Sequence, residues 1–335
     1  MKIFKIRLAL VFLTCACFCT VLSAKSNELT FFSDGLWEHF TPQMEYFIHE
    51  LEQIKVVSGQ QAAYDEFLQA AMTGNWVGSP DDMDFVFEYC RNIYAGTERD
   101  AILISNGGLE YYVLLYLQSL QGVRSDVALL RSDFLTDTQY LEIAMTQPNI
   151  GSILTEVFWG NKTKYMGADE LILQVRNYGY RVNYTPQCYT PGISRDSLVY
   201  VGITMRYSYS DSDAALATFG LAMENSFSFS YAEKYWPDVH KSSWAVIEFN
   251  YINRWIKCAS ELRELGIELT EIEKWLLNPA DSALSNDYRY VIFRFRWALD
   301  NNRKDILYWE DKILEQLDTI PENFIKEYLP EFNDK

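Results

Sequence analysis

The chain has 335 residues, of which 49% are hydrophobic and 22% are charged, and this is enough apolar material for a sizeable core. Its 46 acidic residues outnumber the 29 basic ones, and the formal net charge at pH 7 is −17. A charge of this sign repels phosphate backbones and anionic lipid surfaces. Composition therefore argues against nucleic acid and the membrane surface as partners.

The beginning of the chain has the layout of a secretory signal peptide. Basic residues precede an unbroken apolar stretch that ends at about Leu22, and small residues follow it. The stretch is short for a membrane span of roughly 20 residues. We expect cleavage after Ser23 or Ala24, which removes residues 1–24 and leaves an exported chain, periplasmic or secreted. A retained signal anchor and lipid attachment at Cys17 are the alternatives.

The rest of the sequence predicts three regions and no second membrane segment. Residues 25–97 are predicted to be helical, 98–206 to form an α/β core, and 207–335 to form a second helical region. In the first region, helix-start signals stand at Thr41-Pro42 and again at Ser79-Pro80, each followed by apolar residues at helical spacing. A loop is expected between them.

The middle region alternates strand and helix signals. An apolar run at 101–105 ends before Asn106, a segment at 109–120 is long enough for a helix, and Gly122 precedes a second apolar run at 126–132. This order predicts a βαβ unit, whose parallel strands are buried on both faces.

Further elements extend this core. Helices are predicted at 136–145 and 168–177, and 198–205 is predicted to be a third core strand. The fold class predicted is α/β, a small three-layer sandwich with a parallel sheet. In the last region, residues 288–299 and 306–317 each carry an apolar face, which predicts an antiparallel helical hairpin like those of tetratricopeptide repeats.

The stretch 83–137, with the βαβ unit in it, resembles the soluble C-terminal region of bacterial membrane proteins related to protein O-mannosyltransferases, the transmembrane-260 type. In that family a strand ends in Asn-Gly, and a helix ending in Leu-Gln precedes Gly-Val-Arg-x-Asp-Val and a second strand. The matching positions here are Asn106, Gly107, Glu110, Leu117, Gln118, Gly122, Val123, Arg124, Asp126 and Val127.

Two departures limit what this resemblance implies. The acid-rich Asn-Gly-Asp-Asn-Asp of the family is replaced by Asn106-Gly107-Gly108-Leu109-Glu110, which keeps one carboxylate of three. The resemblance also does not extend to the membrane-spanning part that transfers the sugar in such proteins. It therefore implies no transferase activity.

Asn106, Gly107 and Gly108 are the first candidate ligand-binding residues. At the carboxyl end of a strand and the start of a helix, their amides are placed to bind an anionic group, and open α/β sheets bind ligands at this edge. The alternative is a tight strand-to-helix turn, because these residues tolerate positive φ.

Acidic residues near the predicted strand ends are the second set of candidates. Glu110, Asp133 and Asp137, with Asp126, supply oxygen ligands of the kind that Ca²⁺ prefers. The alternative is that each of them starts a strand or helix or complements a helix N-terminus. We predict Glu110, Asp133 and Asp137 as ligand-binding residues, and no metal or cofactor.

The remaining chemistry-bearing residues give weak signals. Cys90, Cys188 and Cys258 allow one disulfide, but three buried, inert thiols are the preferred interpretation. No two of the three histidines have metal-ligand spacing, and there is no nucleophile elbow.

The leader and the resemblance, without the membrane-spanning catalytic part, predict an exported binding or accessory module of a bacterial envelope system, which binds glycan or protein and is non-catalytic. Aromatic residues make up 16% of the chain, and rings exposed in a groove would suit either ligand. The alternatives are a carboxylate-dependent hydrolase that acts on glycans and a helical scaffold for protein contacts.

Overall fold

The structure is a computed structural model that describes residues 40–73, 80–105, 108–137, 140–141, 144, 167–186, 188, 190, 193–194, 197–207, 210–224, 227–229, 245–329 and 332. The chain divides into two compact units, Met1–Met83 and Asp84–Lys335. The predicted signal peptide lies outside the described residues, as does most of the loop expected before Pro80. In the described part, no helix combines the length and the apolarity that crossing a membrane requires.

The first unit contains a helical pair, α1 (Phe40–Ser58) and α2 (Gln60–Thr73). Gly59 separates them with a φ of 93°, which a glycine adopts without strain. The rings of Phe47 and Phe67 stack with their centroids 6.4 Å apart. The sequence did not signal the break at Gly59, although it did predict helix in this region.

The helix α3 (Pro80–Gly96) and the βαβ unit agree with the predictions. Proline is the first residue of α3. The unit consists of β1 (Ile102–Ser105), α4 (Gly108–Gln121) and β2 (Ala128–Arg131). The two strands are parallel, with Ile102 opposite Ala128 and Ser105 opposite Arg131.

The sheet that the described strands form is mixed, which corrects the prediction of a purely parallel sheet. Its further strands are β3 (Val182–Tyr184), β4 (Leu198–Val201) and β5 (Thr204–Tyr207), and the strand order is β2-β1-β3-β5-β4. The strand β3 is parallel to β1, whereas β5 is antiparallel to both β3 and β4. The predicted single strand at 198–205 is therefore a hairpin, because Gly202 turns the chain with a φ of 56°.

One face of the sheet packs on the helix α5 (Ala168–Asn177), which the sequence predicted. Helix α5 contributes Leu171, Ile172 and Val175 to the core, and strand residues such as Ile104 and Leu130 meet them. Only 140, 141 and 144 of the helix predicted at 136–145 are described as helical. The three-layer sandwich remains a prediction.

The C-terminal region is helical, as predicted. It contains α6 (Asp211–Met223), α7 (Ala245–Glu264), α8 (Leu269–Ile272), a π-helical segment (Glu273–Leu277), α9 (Asn278–Leu284), α10 (Tyr288–Asp300), α11 (Ile306–Gln316) and α12 (Glu322–Tyr328). Helices α10 and α11 pack as the expected hairpin, with Phe295, Trp309 and Ile313 buried. The tetratricopeptide-like character of this tail remains a prediction.

The β4–β5 hairpin and the C-terminal helices meet at Gly202. A Cβ atom added there would lie 2.5 Å from the ring of Phe227. That ring packs edge-on against Trp255 of α7, with centroids 5.3 Å apart. Only glycine therefore fits between the turn and this aromatic contact.

Candidate functional site

The carboxyl ends of three parallel strands meet at one edge of the sheet. Ser105 is the last residue of β1, Arg131 is the last residue of β2, and Thr185 follows β3 directly. The backbone N–H of Thr185 donates to the carbonyl of Ile104 at 2.9 Å, which holds the end of β3 beside β1. All three polar side chains are buried. This is the edge where α/β sheets bind ligands.

Glu110 lies in the first turn of α4 and faces this edge. The residue as a whole is half-buried, its carboxyl group is buried, and its Oε1 accepts a hydrogen bond of 2.9 Å from the hydroxyl of Ser105. Burial raises the pKa of the Glu110 carboxyl, although the nearby hydroxyls of Thr185 and Ser105 act to lower it. A carboxyl group has about four acceptor positions when ionised, so Glu110 retains capacity beyond the bond from Ser105.

Arg131 and Asp133 form an ion pair at the end of β2, the strand that pairs with β1. Nε of Arg131 donates to Oδ1 of Asp133 at 3.0 Å, and Nη2 donates to Oδ2, which makes the contact bidentate. The guanidinium lies 4.2 Å from the ring centroid of Phe134 and 5.4 Å from that of Tyr111. Burial alone lowers the pKa of Arg131, but the hydrogen bonds and charge of Asp133 raise it overall. The side chain of Asp133 is 38% exposed.

The other two predicted acids have structural partners. Asp137 accepts a hydrogen bond of 3.2 Å from the backbone N–H of Tyr140, which is a capping contact. Asp126 pairs with Arg124 at 2.8 Å before the start of β2, at the opposite end of that strand from Arg131. Hydrogen bonds from Arg124 lower the pKa of Asp126. The acids therefore do not gather into one cluster, which agrees with the alternative of capping roles.

Within the described ranges, no group of three or more His, Cys, Asp or Glu side chains is placed to hold a metal ion. Cys90, Cys188 and Cys258 are free and buried, as the preferred interpretation expected. Burial raises the pKa of Cys90 and raises that of Cys258 to about 12. Neither thiol is therefore suited to act as a nucleophile near neutral pH.

The glycine-rich turn lies partly outside the described residues. Asn106 and Gly107 lie outside the described residues, and Gly108 is the first residue of α4. The turn connects Ser105 at the end of β1 to the helix that carries Glu110.

Sequence reasoning missed the hydroxyl and arginine side chains of this edge. Ser105 and Arg131 each end an apolar run, and that position was an available signal. Asn183 lies in a three-residue strand that gives no periodic pattern, and Thr185 directly follows that strand. Both are buried, and their side-chain polar atoms make no hydrogen bond of good geometry in the part of the chain that the structure describes.

Comparisons of this chain with protein-family models, curated proteins and solved structures found no match. The resemblance to the transmembrane-260 type proteins therefore remains a prediction. The candidate site rests on the geometry of the strand edge alone.

Proposed function

We propose that the chain is an exported, non-catalytic binding module that holds a neutral, hydroxyl-rich ligand such as a glycan at the carboxyl edge of β2, β1 and β3. The observation that carries this proposal is the environment of Glu110. The residue is half-buried, its carboxyl is fixed by the buried hydroxyl of Ser105, and that carboxyl retains acceptor positions. A ligand hydroxyl is able both to donate to it and to accept from it.

The charges at the edge favour a neutral ligand. Arg131 already has a bidentate partner in Asp133, so an anionic ligand would have to displace that carboxylate. A cationic ligand would require ionised Glu110, and burial raises the pKa of that carboxyl. Hydroxyl groups suit either protonation state of Glu110.

The surroundings of Glu110 support binding over catalysis. Glycosidases use two carboxyl groups that lie about 5 to 10 Å apart. Among the described residues, the pKa of Glu110 is shifted by burial and by two hydroxyls, and no other carboxylate contributes. Asp133 is held by Arg131, and Asp137 caps the backbone at Tyr140.

A carboxylate-dependent hydrolase is the second candidate. The observation in its favour is the raised pKa of Glu110, since a general acid needs a carboxyl that stays protonated. This function would require a second carboxyl group at that separation from Glu110. Glycan turnover that Glu110→Gln abolishes would establish it in place of the binding module.

The ligand site is tested by isothermal titration calorimetry of the mature chain with a panel of neutral oligosaccharides. Glu110→Gln keeps hydrogen-bonding groups at this position, so its affinity should stay within about fivefold of the parent. Glu110→Leu removes them and should weaken binding by about tenfold or more. Asp137→Asn is the matched control, because asparagine caps as well as aspartate does. Equal affinity of the parent and Glu110→Leu would contradict the site.

The export part of the proposal rests on the leader sequence, and the envelope part on the resemblance. Expression of the full chain in a bacterial host, followed by fractionation and N-terminal sequencing, tests the export. We expect a periplasmic or secreted product that begins at Ala24 or Lys25. A cytoplasmic product that retains residues 1–24 would contradict it.

A further inference from the structure

We propose a second ligand site for a neutral sugar ring in the groove between α7 and α10. The groove has a volume of about 540 Å³ and is lined by Phe293, Trp297, Arg263, Glu264, Arg296 and Asp300, together with Ser260. Pockets that hold small ligands typically measure roughly 300 to 1,000 Å³. The proposal shares only its ligand class with the strand-edge site, and it stands if that site fails.

The floor of the groove is aromatic and rigid. The indole N–H of Trp297 donates to Oε1 of Glu273 at 3.0 Å, which fixes the ring in the core. The ring of Phe293 lies against it, with centroids 5.7 Å apart, and remains partly exposed. A partly exposed ring on a fixed base presents a flat apolar surface, which the C–H face of a sugar ring is able to cover.

The rim of the groove carries planar charged groups of both signs. Arg263 and Asp300 lie 3.7 Å apart, and both side chains are largely exposed, so the pair is a loose one that contributes little to stability. Nε of Arg296 donates to the carbonyl of Tyr328 at 2.6 Å, which positions its guanidinium at the rim. Such groups make charge-assisted hydrogen bonds to neighbouring hydroxyls.

The balance of charge selects the class of ligand. Two arginines and two acids line the groove, so its formal charge is zero. An anion would be repelled by Glu264 and Asp300, and a cation would be repelled by Arg263 and Arg296. A peptide strand would need unpaired backbone groups, which two helices do not offer, and an amphipathic helix would need a mostly apolar groove. A neutral ring with hydroxyls meets neither objection.

The test follows the indole N–H resonance of Trp297, assigned with a Trp297→Phe variant, as the mature chain is titrated with chitotetraose, mannotetraose and maltotetraose. We expect at least one of these sugars to shift the resonance, and Phe293→Leu to weaken that binding by about tenfold. Tyr308→Leu is the matched control, because Tyr308 is an exposed aromatic residue on α11 that does not line the groove. Its affinity should stay within about twofold of the parent.

Two further variants separate the possible outcomes. Arg263→Met changes the exposed rim, and it should weaken binding even where Phe293→Leu fails to fold. Glu110→Leu should leave the shift of the Trp297 resonance unchanged, which distinguishes this groove from the strand edge. The proposal is overturned if none of the three sugars shifts the resonance at millimolar concentration, or if Phe293→Leu and Arg263→Met both bind as the parent does.

Discussion

The sheet edge and the C-terminal helices both hold carboxyl groups away from solvent, but they partner them differently. Among the helices, Asp281 accepts hydrogen bonds from Arg294 and from the hydroxyl of Tyr290, each at 2.9 Å. Asp287 likewise accepts from Arg289 at 2.6 Å. At the sheet edge, the carboxyl of Glu110 accepts a hydrogen bond from the hydroxyl of Ser105, and the hydroxyl of Thr185 lies nearby. A carboxylate matched by arginine is explained by folding alone, whereas one matched only by hydroxyls has capacity left for a ligand.

The helical side of this comparison is tested most severely by Arg294→Met. The side chain of Arg294 is only 3% exposed, and its removal leaves Asp281 without its guanidinium partner. Breaking a buried pair in this way should lower the free energy of unfolding by about 3 to 5 kcal/mol. Urea unfolding followed by tryptophan fluorescence measures the loss.

The control for that substitution is Lys312→Met, which removes a more exposed ion pair with Glu315. Its effect should stay below about 1 kcal/mol, because exposed pairs are screened by water. A loss below about 1 kcal/mol for Arg294→Met would contradict the structural role assigned to the buried pair.

The junction between the two regions should be nearly as sensitive. Gly202→Ala places a Cβ 2.5 Å from the ring of Phe227 at a φ of 56°. A left-handed residue costs about 1 to 2 kcal/mol and overpacking costs about 1 to 3, so we expect a loss of about 3 kcal/mol in unfolding free energy. Gly122→Ala has a φ of 69° with nothing within 4 Å of the added Cβ, and it should cost only about 1 kcal/mol. Equal losses would show that the contact with Phe227 is unimportant.

A smaller loss is expected at the sheet edge from Asp133→Asn. The asparagine still accepts from Arg131 but no longer neutralises it, and the position is 38% exposed. We expect a loss of about 1 to 2 kcal/mol, since solvent screens the charge of Asp133. Chemical denaturation of Asp133→Asn and Arg294→Met under the same conditions checks which substitution lowers the free energy of unfolding more. A larger loss than that of Arg294→Met would reverse the comparison.

The smallest effect concerns the dependence of stability on pH. Burial raises the pKa of Glu110, so the folded chain binds this proton more tightly than the unfolded chain does. The resulting stability is present below the pKa of an exposed glutamate, about 4.3, and is lost as pH rises through the folded-state value. Glu110→Gln should therefore lose less stability than the parent between about pH 4 and pH 7.

Asp281 also has a raised pKa from burial, but it contributes equally to the parent and to Glu110→Gln. The difference between the two urea-unfolding profiles consequently isolates Glu110. Parallel profiles would mean that the carboxyl of Glu110 is as well solvated in the folded chain as in the unfolded chain.

The βαβ unit was predictable because its signals are local. Each strand is a short apolar run bounded by polar residues, and the segment between them has the length of a helix. The β4–β5 hairpin was misread as one strand because apolar residues continue across Gly202, although a glycine within a strand pattern is a signal of a turn or bulge. Strand β3 has three residues, which is too few for any periodicity to appear.

The candidate site was predictable only in part, for the same reason. Glu110 stands in the first turn of a helix that follows a strand, and its position at the sheet edge follows from that order. Thr185 reaches the same edge from a strand that is distant in sequence, so only the pairing of β3 with β1 brings it there. Asp126, which was grouped with Glu110 in the sequence, lies before its strand instead of after it.

The most direct test of the strand-edge site is calorimetric titration of the parent, Glu110→Gln and Glu110→Leu with the same neutral oligosaccharides, combined with an assay for cleavage of those sugars. The account predicts that the parent and Glu110→Gln bind with affinities within about fivefold of each other, that Glu110→Leu binds about tenfold more weakly, and that none of the three cleaves the sugar. Cleavage by the parent that is lost in Glu110→Gln, or binding that is unchanged in Glu110→Leu, would contradict it.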